Sequence, residues 1–112
     1  MLRRIIITAA AALLLTTGTA QADGTSGKVT VTVVNVEGNG VFLSVAGSQN
    51  PDGCANASIV ALTAQSPEEL NRMLGVALTA YSAKSKVQLW YRGCVTSSWA
   101  VIPSAVSIAI SD

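Results

Sequence analysis

Cys54 and Cys94 are the only cysteines in the chain, and it contains no histidine. Those two facts decide most of the side-chain chemistry on offer. Without histidine, the commonest general base and the usual nitrogen ligand for a metal are both missing. No serine or cysteine has an imidazole to activate it, although serines and threonines abound. A thiol pair held for redox exchange or a metal would want a C-x-x-C spacing or histidine neighbours, and these two cysteines have neither. They are expected to form a disulfide, which requires an oxidising compartment. Closing the loop of 40 residues between them is worth about 4 kcal/mol in the chain-entropy model.

The carboxylates offer no better site. Glu68 and Glu69 belong to a helix start, Glu37 to a turn, and Asp23 and Asp112 stand at the two ends of the exported stretch. Asp52 alone has no structural assignment, and even it lies in a turn-like Asn50-Pro51-Asp52-Gly53 run. A glycosidase-type pair would need two of these groups to converge in a cleft. The sequence therefore predicts no catalytic residue, no metal site and no cofactor. Asn56-Ala57-Ser58 fits a glycosylation sequon, a match common by chance.

The aromatic residues remain. Trp90 lies between Leu89 and Tyr91, so it points outward if those two face a core; Trp99 falls in a polar connection after Cys94. Exposed indoles give flat apolar faces that stack on sugars or anchor a protein partner. Against that stands the tendency of small cores to recruit large side chains. Trp90 and Trp99 are the candidate binding residues.

The elements that must position them begin after an export signal. Arg3 and Arg4 precede an apolar stretch from Ile5 to Leu15, and a small-residue run ends in Ala20-Gln21-Ala22. This order is that of a cleaved secretory signal over residues 1–22, in the style of a bacterial exporter. Its apolar core is too short to span a bilayer, which takes about 20 residues, so no membrane anchor is expected in the mature form. Removing it takes Arg3 and Arg4 away and leaves five basic and six acidic groups, a net charge near −1. So even a balance argues against nucleic acid and against docking on anionic lipid. Lys84 and Lys86, the one close basic pair, are expected to complement a helix C-terminus.

The rest, residues 23–112, is short enough for one domain only. A flexible lead-in over 23–27 is expected to precede a strand from Lys28 to Val36, with a bulge near Val33–Val34, or burial on both faces, where the apolar phase switches. Glu37-Gly38-Asn39-Gly40 is a hairpin turn into a second strand, Val41 to Ala46. After a loop to Cys54, Ala57 to Thr63 reads as the third strand. Ser66-Pro67-Glu68-Glu69 combines an N-cap, a proline at the first helical position and a glutamate three residues after the cap. A helix from Pro67 to about Ala83 follows. Val87 to Tyr91 is the fourth strand, Arg92-Gly93 a turn into Cys94, and residues 95–104 an irregular connection before a closing strand around Val106, Ile108 and Ile110.

Three strands, a helix and two strands predict a β-rich, five-stranded OB-like barrel with its helix between strands three and four. The alternative is an open antiparallel sheet packed on one helix. Closure favours the barrel because it protects many short strand edges.

The framework residues Pro51-Asp52-Gly53-Cys54-Ala55, Asn71-Arg72-Met73-Leu74, Lys86-Val87-Gln88-Leu89-Trp90 and Gly93-Cys94 resemble a group of small uncharacterised secreted bacterial proteins. The order of elements is also similar to that of the OB-fold B subunits of AB-type toxins. That second resemblance implies a ring-forming homo-oligomer that binds host glycans, and assigns no contact residue. Together these readings give an exported, non-enzymatic binding module, secreted or periplasmic, with a glycan as the sharpest choice of ligand. The alternative is a structural or inhibitory envelope protein that meets another protein through an edge strand or a Trp90–Trp99 region.

Overall fold

The computed structural model describes residues 24–111. The expected signal over residues 1–22, with Asp23 and Asp112, lies outside the described residues. The elements are β1 (Gly24–Glu37), β2 (Gly40–Ala46), β3 (Ile59–Leu62), α1 (Pro67–Ala83), β4 (Lys86–Thr96) and β5 (Val101–Ile110). The strands close into a barrel in the order β1-β2-β3-β5-β4. Four seams are antiparallel, and β3 meets β5 in parallel at Ala61–Ser104 and Leu62–Ala105. This is the OB-like barrel that the element order predicts. The open sheet is excluded by that last seam, which continues past the ladder where Thr63 N donates to Ala105 O at 2.8 Å.

Alternation fills the interior. Val29 and Val31 of β1, Val41, Leu43 and Val45 of β2, Val60 and Leu62 of β3, and Val87, Leu89 and Tyr91 of β4 are all buried. Met73, Ala77 and Ala80 of α1 complete this core, so the helix lays one apolar stripe across the barrel. Small alanines on that stripe allow close approach. The helix start is as read from the sequence. Ser66 Oγ accepts from Glu69 N at 3.1 Å, and Glu69 Oε1 accepts from Gln65 N at 2.7 Å. Its end differs from expectation. Lys84 is the C-cap itself, with φ 58°, and no basic residue lies in the last turn. Lys86 instead donates from Nζ to Thr30 Oγ1 at 3.2 Å.

Several boundaries move, each for a tertiary reason. The presumed lead-in is strand, because Gly24 and Thr25 pair with Tyr91 and Trp90 of β4. The β1 bulge falls one residue early, between Val31 and Val33, and leaves Thr32 unpaired while Val34 turns inward against Leu43. β3 is shorter than read, and Cys54 precedes it in a loop, as expected. Arg92-Gly93 is no turn: β4 runs on through Cys94 to Thr96, with Gly93 at φ 76° in an interruption of its ladder. Pro103, which has no N–H to donate, pairs with Cys94 at the far side of that interruption, so the expected irregular stretch is mostly strand. Among the described residues, no helix is long and apolar enough to cross a membrane.

Candidate functional site

Cys54 and Cys94 form the disulfide, with Sγ atoms 2.00 Å apart and Cα atoms 5.8 Å apart. A disulfide fits a non-cytoplasmic setting. The bridge fastens the loop ahead of β3 to β4, and two side chains reinforce it. Asn50 clasps Cys54 from both sides, donating from Nδ2 to its carbonyl at 2.8 Å and accepting its N–H at 3.0 Å. Asp52 Oδ2 accepts from Gly93 N at 2.9 Å. The one carboxylate without a sequence assignment is thus a strut between this loop and β4. Among the described residues, no three His, Cys, Asp or Glu side chains gather into a metal-holding group.

Inside the barrel, Tyr91 shares a 2.6 Å hydrogen bond with Ser48 across its hydroxyl. Ser26 Oγ accepts from Leu89 N at 2.9 Å. Burial pushes the Tyr91 phenol above the ordinary tyrosine range, while its bonds to Ser48 and Ser26 pull the other way. These groups hold β4 to β1 and to the loop after β2. They are framework.

The two tryptophans stand on different walls. Trp99 belongs to the short connection between β4 and β5. That connection is wound around one hydroxyl: Ser97 Oγ donates to Ala100 O at 2.7 Å and accepts from Trp99 N at 3.1 Å and Ala100 N at 3.2 Å. The backbone bond from Ser97 N to Ala100 O, 2.9 Å, closes the loop. So fixed, the indole reaches back over the outer face of β2 and meets Phe42 edge to face, ring centroids 4.9 Å apart and planes at 69°. Trp99 remains 41 % exposed.

Register defines what surrounds this pair. Phe42 faces outward between inward Val41 and Leu43, and it is flanked by Asn35 on β1 and Ala61 on β3. One step along, Val33, Ser44 and Ile59 form the next outward row. Between these rows and the indole lies a trough of about 200 Å³, lined by Val33, Asn35, Phe42, Ser44, Ile59 and Trp99. None of these side chains ionises. The trough has an aromatic wall, an aliphatic floor, and an amide and a hydroxyl at its side.

Trp90 projects from β4, between Thr25 of β1 and Ser107 of β5, and is 48 % exposed. Since β4 borders only β1 and β5, Trp90 and the Phe42–Trp99 pair occupy separate walls. The structure does not bring the two candidate residues together, and the single Trp90–Trp99 region is corrected to two faces. Each described strand pairs with two others, so none is an edge strand over its whole length.

A second hollow, about 440 Å³, lies between the β1–β2 turn and the start of α1, over Val36, Val41, Leu70 and Leu74. The helix start beside it is already closed on itself by Ser66 and Glu69. It carries no aromatic side chain.

Sequence reasoning missed Phe42, the only phenylalanine. A signal was present: strict alternation through Val41, Phe42 and Leu43 puts a large aromatic on the wrong side of a half-buried strand. No protein-family model matches the chain, and no curated protein matches it.

Proposed function

We propose that the protein is an exported, non-enzymatic binding module, secreted or periplasmic, that holds a neutral glycan in the Phe42–Trp99 trough. The observation that carries this reading is the braced indole. Trp99 is 41 % exposed yet fixed by the Ser97 hydroxyl knot and by Phe42 at 4.9 Å. A preorganised aromatic face costs little ordering on binding, and a pyranose presents a C–H face of matching shape. Asn35 and Ser44 lie within the same trough to meet sugar hydroxyls, and the lack of ionisable lining favours an uncharged ligand. Barrels of this connectivity use the outer β2–β3 face and the β1–β2 and β4–β5 loops for oligosaccharides and oligonucleotides. The similarity in element order to toxin B subunits points the same way, and adds a ring-shaped homo-oligomer to the proposal.

The test is a glycan array probed with the oxidised protein, repeated with Trp99→Ala. Affinity for a neutral glycan bound by the wild type should fall roughly tenfold, the scale of one aromatic contact, while the loss of the Phe42 contact lowers the melting temperature by only about 4–8 °C and leaves the protein folded. Equal binding by the variant would remove the trough from the reading. Native mass by light scattering tests the ring.

A second reading has its own observation. Val33, 48 % exposed, and Ile59 line the same trough and give the Phe42–Trp99 surface an apolar extension suited to a protein partner. On this reading the molecule is a structural or inhibitory envelope protein. An array without hits, together with Val33→Asp releasing a partner captured by the wild type, would decide for it.

A further inference from the structure

The opposite wall carries a different chemistry, independent of the Phe42–Trp99 trough. Along β4 the outward positions are Lys86, Gln88 and Trp90, while Val87, Leu89 and Tyr91 are buried. On β1, Thr30 pairs with Lys86, Lys28 with Gln88 and Thr25 with Trp90; on β5, Ala109 pairs with Gln88 and Ser107 with Trp90. Lys28 therefore sits diagonally beside Lys86, at about 7–8 Å for that cross-strand geometry. Trp90 lies about 13 Å from Lys86 along the strand, four residues on.

The cross-strand neighbours of the indole, Thr25 and Ser107, are short, and it is 48 % exposed; Arg92, two residues on along β4, is exposed as well. Lys86 spends one ammonium proton on Thr30 Oγ1 at 3.2 Å, which holds the charge over the wall and leaves two donors. The acidic residues among those described are Glu37, Asp52, Glu68 and Glu69. Glu37 is at the β1–β2 turn, the glutamate pair at the start of α1, and Asp52 against Gly93 N. None occupies a register position on this wall. A chain that is nearly neutral overall thus presents one face with two lysines, an indole, an amide and three hydroxyls, and with no carboxylate among the described residues at its register positions.

We infer that the Lys28–Lys86–Trp90 wall is a second binding site, for a carboxylated (uronate) polysaccharide. The indole stacks on a sugar ring, the lysines meet carboxylates along the polymer, and Gln88, Thr25 and Ser107 meet hydroxyls. The arrangement suits this polymer better than a nucleic acid, which rests on denser cations and on a succession of aromatic platforms. Here there is one platform with polar short neighbours. Two walls of different charge would let one small domain bridge a neutral and an acidic glycan.

Isothermal titration of the oxidised protein with polygalacturonate at low ionic strength tests this, with dextran and oligothymidylate as competing polymers. Binding to polygalacturonate should weaken as salt rises. It should fall roughly tenfold in Trp90→Ala, and again in the double variant Lys28→Gln/Lys86→Gln. The double variant Lys28→Arg/Lys86→Arg should keep it, since charge survives. Circular dichroism melts of each variant separate lost binding from lost folding. No heat with polygalacturonate, equal affinity for dextran in a Trp99→Ala background that removes the trough, or tighter binding of oligothymidylate would each overturn the proposal.

Discussion

Trp90 and Trp99 are the same side chain exposed to nearly the same degree, 48 % and 41 %, yet the barrel presents them by opposite means. Trp90 is exposed because strand alternation leaves it nowhere else to go: Leu89 and Tyr91 on either side are fully buried. Its wall is a list of outward residues on three adjacent strands. Trp99 is exposed because a loop carries it across a seam of the barrel, and a hydroxyl knot and a phenylalanine hold it there. The first is a property of local periodicity, the second of tertiary reach. The charges differ too, lysines around Trp90 and no ionisable group around Trp99.

The contrast rests on a frame common to both walls, and breaking that frame should have the largest effect. Cys54→Ser is expected to cost about 4 kcal/mol, given a loop of 40 residues. For a domain of this size that is about 15–30 °C in melting temperature. A thermal melt that hardly moves would show that Asn50 and Asp52 fasten the loop without help.

Next in size is the anchor on the inner side of β4. Tyr91→Phe removes the hydroxyl shared with Ser48 and should cost about 1 kcal/mol. The same phenol adds a pH signature. Its folded pKa lies above the ordinary value, chiefly through burial, so at alkaline pH the unfolded chain gives up this proton first. Stability should be intact below the ordinary tyrosine pKa of about 10 and fall as pH rises from there toward the folded value. Denaturant melts across that range should show the fall in wild type and lack it in Tyr91→Phe.

Energetic coupling between side chains tests whether the two walls are separate. A double-mutant cycle over Phe42→Ala and Trp99→Ala should return about 1 kcal/mol, the scale of an edge-to-face pair. The same cycle over Trp90→Ala and Trp99→Ala should return nothing beyond about 0.5 kcal/mol, because separate walls share no contact. Similar values in both cycles would refute the separation of the walls. The smallest effect belongs to Trp90→Ala alone, expected within about 0.5 kcal/mol of wild-type stability by chemical denaturation. A larger loss would mean that this indole packs, and would weaken it as a binding face.

Much of the fold was legible because its signals are local. The Ser66-Pro67-Glu68-Glu69 start and the apolar spacing through Ala80 are satisfied within the helix and its own stripe. Valine alternation marked β1 and β2, and the phase switch in β1 announced a bulge to within a residue. The element order carried the barrel. Less legible was every stretch whose strand character depends on a distant partner. Gly24–Gly27 carries no apolar alternation, yet its outer residues pair with β4. Residues 92–104 carry two usual strand breakers: Gly93 lies within an interruption of the ladder, and Pro103 pairs with Cys94 at its end. Of the candidate site, Trp90 was placed outward from its neighbours, whereas Phe42 went unnoticed because its importance lies in a loop residue 57 positions on.

Although the buried Ile102 of β5 fell in a stretch read as irregular, the types of chemistry present, the disulfide partners, the helix and the inward residues of β4 and of β1 up to its bulge were legible in the residues alone. These follow from composition and from periods of two and 3.6 residues. Only the tertiary structure decided that β3 closes against β5, that Asp52 braces Gly93, that Trp99 finds Phe42, and that the two tryptophans lie on separate walls. Such facts depend on which residues far apart in the chain become neighbours. That is set by ring closure and bulge register together, and no local pattern encodes it.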